Sequence, residues 1–182
     1  EGLPRIDPAH RPPDGPPVEL QATSALAASL QRCLASDVLL RPLADKFARL
    51  ALQLAARYAA WLRQGVGVQG GFSNGQTRSD TQQKQQQQNG DAAGSQVGVW
   101  GGAEDLALVW CDVETLSGWL DTQFQQRFVD ALSFLPPQAL EAAEAAWAAA
   151  SAGITAAAAP IGNRLVESLS ERCGAALKPM RG

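Results

Sequence analysis

The sequence predicts an all-α protein: an antiparallel helical bundle or rod that is interrupted by a long disordered insertion rich in Gly and Gln. The 182 residues include 33 Ala and 22 Leu but only 3 Ile and 1 Tyr, so the residues that strands favour are scarce. Apolar residues recur at steps of three or four in several segments, which is the spacing of one helix face. Between Gly65 and Gly102, which include 10 of the 17 glycines, no such period is present.

The first helix is predicted from the point where a proline-rich lead ends. Residues 1–17 contain 6 of the 11 prolines, and we expect a disordered lead there because proline opposes the interior of helices and sheets. From Val18 onward a helical stripe follows, and we expect this helix to end near Leu40, because Pro42 disfavours helical backbone at the preceding residue. The stripe consists of Ala22, Leu26, Leu30, Cys33 (or Leu34) and Val38.

The second helix, which begins near Pro42, has the clearest period in the chain. Proline suits the first turn of a helix, where its missing amide hydrogen is not needed. Apolar side chains then step by 4, 3, 4, 4 and 3 residues, and we expect all of them to be core: Leu43, Phe47, Leu50, Leu54, Tyr58 and Trp61. The basic residues Lys46, Arg49, Arg57 and Arg63 form a candidate surface for anionic lipid or nucleic acid. We favour a solvated face, because the apolar stripe is needed for the bundle.

Three further helices are predicted after the insertion. One runs from Ala103 to about Leu135, with a stripe that comprises Leu106, Val109, Val113, Leu116, Leu120, Phe124, Phe128, Ala131 and Leu135. Pro136 and Pro137 end it, and an Ala-rich helix over 138–150 with the anchors Leu140 and Trp147 follows. The last runs from about Pro160 to Leu177 with a spacing of four: Ile161, Leu165, Leu169, Cys173 and Leu177. Ala is too weakly hydrophobic for the apolar stretch 145–161 to predict a membrane span.

The chain therefore divides into the lead 1–17, a helical segment 18–64, a disordered Gly/Gln-rich linker 65–102 and a second helical segment 103–182 of the same bundle. Residues 41–64 carry five basic and one acidic residue, a net charge of +4. Residues 103–150 carry one basic and eight acidic residues, a net charge of −7. We expect the two segments to attract each other as neighbours, although exposed ion pairs contribute little individually.

No pattern in the sequence indicates catalysis, a cofactor or a metal. His10 is the only histidine and lies in the proline-rich lead, so no nucleophile can be paired with a rigidly held imidazole. Cys33, Cys111 and Cys173 are far apart, which argues against a zinc site and a disulfide framework and favours a reducing, cytosolic setting. Carboxylate pairs such as Asp112 with Glu114, or Glu141 with Glu144, leave one enzymatic alternative. It requires a concave pocket lined by two or more acidic residues of 104–144. We therefore predict no catalytic, cofactor-binding or metal-binding residues.

The segment Cys33 to Leu62 resembles part of the C-terminal half of the second subunit of the conserved oligomeric Golgi complex, a vesicle tether. The similarity is greatest to plant and algal members. Two weaker similarities follow in the same order: Glu104-Asp105 with the apolar run to Cys111-Asp112, and Arg164 to Gly182. The matching positions of the first segment are Cys33, Asp37-Val38, Pro42-Leu43, Asp45-Lys46-Phe47, Leu50, Leu52-Gln53-Leu54, Arg57-Tyr58 and Trp61-Leu62.

The resemblance implies a non-enzymatic rod-like subunit, bound peripherally to the cytosolic face of the Golgi membrane. Its expected role is retrograde intra-Golgi vesicle transport, with maintenance of Golgi organisation and glycosylation. Its expected partners are the other subunits of the tethering complex, with SNAREs and small GTPases as further candidates, and neither nucleic acid nor a small-molecule substrate is expected. Another helical scaffold, such as an exocyst-like tether subunit, is the alternative.

Overall fold

The computed structural model describes residues 2–7, 15–67, 100 and 102–177. Five α-helices form the described part: α1 (Gln21–Cys33), α2 (Ala44–Gly65), α3 (Ala103–Trp119), α4 (Gln125–Leu132) and α5 (Pro137–Leu177). A short 3₁₀ turn, Arg41–Leu43, precedes α2, and a π-helical turn, Leu120–Phe124, joins α3 to α4. This architecture confirms the predicted all-α class. The predicted linker lies outside the described residues, apart from its ends.

The helices alternate in direction and form a bundle around α2 and α5. Thr23 of α1 meets Tyr58 near the end of α2, whereas Cys33 lies near Phe47 at the start of α2, so α1 and α2 are antiparallel. Phe124 packs on Trp147, and the ring of Trp110 lies against Gly162, so the α3–α4 segment runs antiparallel to α5. The helix pairs α2 with α5, α3 with α5 and α1 with α2 make the main packing contacts.

The first helix is shorter than predicted. It ends at Cys33 instead of near Leu40, because a turn follows in which the carbonyl of Ala35 accepts hydrogen bonds from the amides of Val38 and Leu39, at 2.9 and 2.8 Å. Ser36 and Asp37 occupy this turn, and both residue types favour turns over helix interiors. Val38, predicted as the last residue of the stripe, is therefore outside the helix.

The face of α2 that enters the core differs from the prediction. Of the six predicted core residues, Tyr58 is buried, Leu54 and Trp61 are half-buried and pack against the core, and Leu50 is 42% exposed. The packed face instead consists mainly of alanines: Ala44, Ala48, Ala51, Ala55 and Ala59, with Leu62. Alanine has no atoms beyond Cβ, so it permits close approach of α2 to the Ala-rich α5. At 3.6 residues per turn, the predicted stripe is rotated from the packed face by about a quarter turn.

The predicted helix from Ala103 to Leu135 is divided by the π-helical turn, but most of its stripe is buried as expected. Leu106, Val109, Val113 and Leu116 are buried on α3, and Leu120, Phe124 and Phe128 continue the core beyond it. Leu132 takes the buried place at the end of α4, whereas Ala131 and Leu135 are half-buried. The rings of Phe124 and Phe128 lie 4.6 and 5.5 Å from that of Trp147 on α5.

The two predicted C-terminal helices are one helix of 41 residues, α5, with Pro160 inside it. Proline removes one backbone hydrogen bond from a helix interior, yet α5 continues through Pro160. Alanines, which have the strongest helix propensity, occupy positions 156–159. Two of them, Ala157 and Ala158, are buried, as is the nearby Ile161. We attribute the continuity of α5 to this propensity and packing. Beyond Ile161, Leu165 is half-buried, and Leu169, Cys173 and Leu177 are exposed.

Part of the proline-rich lead lies against the bundle. The amide of Ile6 donates to the carbonyl of Glu19 at 2.7 Å, and the amide of Gln21 donates to the carbonyl of Pro4 at 3.0 Å. Val18 and Leu20 are buried. This short extended pairing differs from the disordered lead that the sequence predicts. Residues 8–14 lie outside the described residues.

Candidate partner-binding surface

Asp112 is the buried carboxylate of the enzymatic alternative, and its two oxygens are occupied by backbone amides. They accept hydrogen bonds from Glu19 at 2.8 Å and from Leu20 at 2.7 Å. These amides lie at the start of α1, where helices leave amide hydrogens without internal partners and where no side chain of α1 itself caps the helix. Asp112 therefore caps α1 from α3, while its predicted companion Glu114 is exposed.

Two shallow hollows contain acidic residues of the range 104–144. One, of about 510 Å³, contains Glu104 and Asp112 beside Arg5 and Glu19. The other contains Glu104 and Asp105 beside Arg172. Glu104 is exposed and Asp112 is engaged in the cap, so neither hollow presents two free buried carboxylates. Glu141 and Glu144, the second predicted pair, do not line either hollow.

The other candidate chemistry is also dispersed. Within the described residues, no group of three or more His, Cys, Asp or Glu side chains could hold a metal ion. Cys33 is buried, Cys111 and Cys173 are exposed, and all three are free thiols. Burial raises the pKa of the Cys33 thiol above its usual value of 9.0. His10 lies outside the described residues. The prediction that the chain has no catalytic, cofactor or metal residues stays a prediction.

A more distinctive feature is an open apolar groove between α1 and α2, which we call the α1–α2 groove. It has a volume of about 340 Å³ and is formed where the predicted leucine stripe of α2 faces the end of α1 and the turn after it. Its lining residues are Ser29, Arg32, Cys33, Val38, Phe47, Leu50 and Leu54. The sequence analysis identified its α2 residues by their period but assigned them to the core.

The charged residues of α2 form no ion pair with the acidic helices among the described residues. Among them, only Asp45 and Arg49 form an ion pair, at 3.9 Å and within α2 itself. Lys46 and Arg57 are exposed, and no ion pair joins α2 to α3 or α5 in the described part of the chain. The expected attraction between the basic residues 41–64 and the acidic residues 103–150 therefore does not produce direct ion pairs between α2 and α3 or α5 where the structure describes the chain.

A polar contact joins the far end of α2 to α5. The guanidinium of Arg164 on α5 donates to the carbonyl of Val66 at 2.7 Å, just after the last residue of α2. A cation at this place satisfies a carbonyl that the helix leaves free and complements its dipole. This contact fixes the end of α2 to α5.

In length and composition, α5 meets the requirements for crossing a membrane, and it is the one helix among the described residues that does. Core helices of bundles can meet the same requirements, and a single such helix is weak evidence for a span. Its side chains Trp147, Ile154 and Ile161 are buried in the bundle, and 33% of its most apolar window is buried.

A family comparison covers almost the whole chain. Residues 4–182 match the model described as the COG complex component COG2, C-terminal. The chain belongs to this COG2 C-terminal family. No curated protein and no solved structure matches it. The match includes both helical segments and the residues between them, so the resemblance carried by Cys33 to Leu62 extends over the rest of the COG2 chain.

Family membership makes the chain a component of the COG complex, which functions in Golgi trafficking. Such a component is one subunit of a hetero-oligomer, and the family is a tethering scaffold that is not known as an enzyme. The α1–α2 groove is an apolar surface that the described helices leave partly open.

Proposed function

We propose that this COG2 chain is a non-enzymatic subunit of the Golgi vesicle-tethering complex that acts in retrograde intra-Golgi transport. In this role it helps to maintain Golgi organisation and glycosylation, because recycling vesicles return resident enzymes to their compartments. It binds peripherally at the cytosolic face of the Golgi membrane. The observation that carries the proposal is the family match over residues 4–182.

The architecture supports this proposal because a tether must present a stiff surface to its partners. Helices that pack along their length give such a surface, and exposed apolar stripes on them suit partner helices. Leu50 on α2 has an exposed fraction of 42% and lies on one such stripe with Phe47 and Leu54. Isolated exposed leucines are ordinary on protein surfaces, whereas these apolar side chains are aligned along one helix face.

The experiment is an affinity purification of the tagged full-length protein from its own cells, followed by mass spectrometry of the proteins that remain bound. We expect the other COG subunits to be recovered together. Recovery of exocyst-like subunits instead, or of no tether subunits, would contradict the proposal. SNAREs or small GTPases among the recovered proteins would identify the further partners.

A further inference from the structure

The α1–α2 groove is apolar in its middle and open to solvent along its length. Phe47, Leu50 and Leu54 supply one wall from α2, and Cys33 and Val38 supply the other. Because the alanine face of α2 already packs into the bundle, this second apolar face is left partly open by the described helices. Phe47 and Leu54 are seven residues apart on the helix, a distance of about 10 Å or two turns. The groove therefore matches two turns of a partner helix.

Charge is distributed unevenly around the groove. Lys46 precedes Leu50 by four residues and Arg57 follows it by seven, so both lie on the same side of α2 as Leu50. Both are exposed, and neither forms an ion pair within the described residues. On the opposite wall, Arg32 is paired with Asp37 at 3.2 Å. The uncompensated charge is thus positive and is confined to the α2 side.

We propose that the α1–α2 groove binds an acidic amphipathic helix of another subunit of the COG complex. The helix would place apolar residues at i, i+3 or i+4, and i+7 on Phe47, Leu50 and Leu54, and carboxylates beside Lys46 and Arg57. The proposal rests on the proposed function, because it names the surface by which this chain joins its complex. A concave groove with cations on one side fits the convex surface of a helix better than it fits a flat anionic membrane.

The test compares two full-length variants with the wild type in cells that express the whole complex. Leu50→Asp places a charge in the groove, and Leu169→Asp introduces the same change at an equally exposed apolar position of α5. We expect Leu50→Asp to reduce recovery of one other COG subunit by about tenfold or more, since apolar anchors dominate binding energy. Leu169→Asp should leave that recovery unchanged, and both variants should melt at the wild-type temperature.

A second measurement keeps the proposal testable if Leu50→Asp fails to fold. A photo-crosslinking residue replaces Leu54 in the full-length chain, and the crosslinked peptide is identified by mass spectrometry. The expected product is an acidic helical segment of another COG subunit, and its yield should fall in the double variant Lys46→Glu, Arg57→Glu. Crosslinks to lipid, to a second copy of this chain or to no COG subunit would overturn the proposal.

The outcomes separate the groove from the proposed function. If the wild type recovers the other COG subunits and folded Leu50→Asp recovers them equally, the groove proposal is wrong while the proposed function stands. If the wild type recovers none of them, both proposals fail.

Discussion

Tyr58 is the single tyrosine of the chain, and its environment makes it a reporter of the α1–α2 contact. Its hydroxyl is buried and lies 2.9 Å from Oγ1 of Thr23 on α1. Burial raises the pKa of Tyr58 far above its usual value of 10.0, and the negative charge of Asp112 adds to the rise while the Thr23 hydrogen bond opposes it. The neutral phenol is therefore the form that the folded chain holds.

This shift predicts a loss of stability at alkaline pH. Tyr58 loses its proton at about pH 10 in the unfolded chain but keeps it in the folded chain, so above pH 10 the unfolded state binds fewer protons. The contribution of Tyr58 is fully present below pH 10 and declines as the pH rises towards its folded pKa. Ultraviolet absorbance of tyrosinate measures the effect directly, because no other tyrosine contributes.

We expect the absorbance step near pH 10 in urea and its absence from the folded chain at the same pH. In Tyr58→Phe the alkaline decline should be smaller, and Cys33, whose pKa is also raised by burial, should contribute to the part that remains. A tyrosinate step near pH 10 in the folded chain would show that Tyr58 is solvated.

At the scale of a helix, α2 shows how far the sequence determined the fold. Its length and helical character follow from its period, but that period is shared by two stripes. The leucine stripe and the alanine stripe both step by 4, 3, 4, 4 and 3 residues, displaced by one position. Hydrophobicity favoured the leucines, whereas packing against the Ala-rich α5 selected the alanines. Which of the two stripes is buried depends on the partner helix α5. A local sequence pattern in α2 holds no information about that partner.

The end of α2 is fixed by a close contact that only glycine permits. Trp100 is buried, its amide donates to the carbonyl of Gly65 at 3.3 Å, and its ring lies 4.9 Å from that of Trp61. A Cβ atom at position 65 would lie 2.2 Å from the Trp100 ring, which is far inside van der Waals contact. Sequence analysis noted the cluster of glycines here but could not identify which one this ring requires.

Gly65→Ala should therefore destabilise the chain by about 1 to 3 kcal/mol, the usual cost of overpacking. The matched variant is Gly153→Ala in the middle of α5, where an added Cβ meets nothing within 4 Å. It should stabilise by about 0.5 to 1 kcal/mol, because alanine is the better helix former. Urea unfolding of both variants measures the difference. Equal effects would contradict the contact, and in a Trp100→Ala background the added cost of Gly65→Ala should be much smaller than in the wild type.

At the scale of the molecule, two hydrogen bonds that no sequence pattern identified join the two helical segments. Asp112 on α3 accepts two amide hydrogens from residues 19 and 20, which are more than ninety positions away. Sequence reasoning treated Asp112 as one half of a carboxylate pair, because it could not place the start of α1 beside it. The buried residues of α3 were predicted more completely, because they follow one unambiguous stripe: Leu106, Val109, Val113 and Leu116.

Asp112→Ala leaves both amides without this acceptor and should reduce the free energy of unfolding by about 1 to 3 kcal/mol. Glu114→Ala, an exposed change on the same helix, should alter it by less than about 0.5 kcal/mol. Chemical denaturation followed by circular dichroism checks both values. Because the bond joins the two segments, we expect one cooperative transition for residues 18–64 and 103–177 in the wild type. Separate transitions, or a neutral Asp112→Ala, would contradict this role.

The contact between Trp100 and Gly65 has a practical consequence for experiments on the living cell. It brings the two ends of segment 68–99 together, so the chain leaves and re-enters the bundle at the same place. An insertion carried on flexible linkers adds little closure cost, because that cost grows by only about 0.6 kcal/mol for each doubling of the loop length. A fluorescent protein or an affinity tag inserted between Gly67 and Trp100 would thus enter beyond the end of α2, about three turns along the helix from Leu54 in the α1–α2 groove. This position offers an internal labelling site for following the tether in cells.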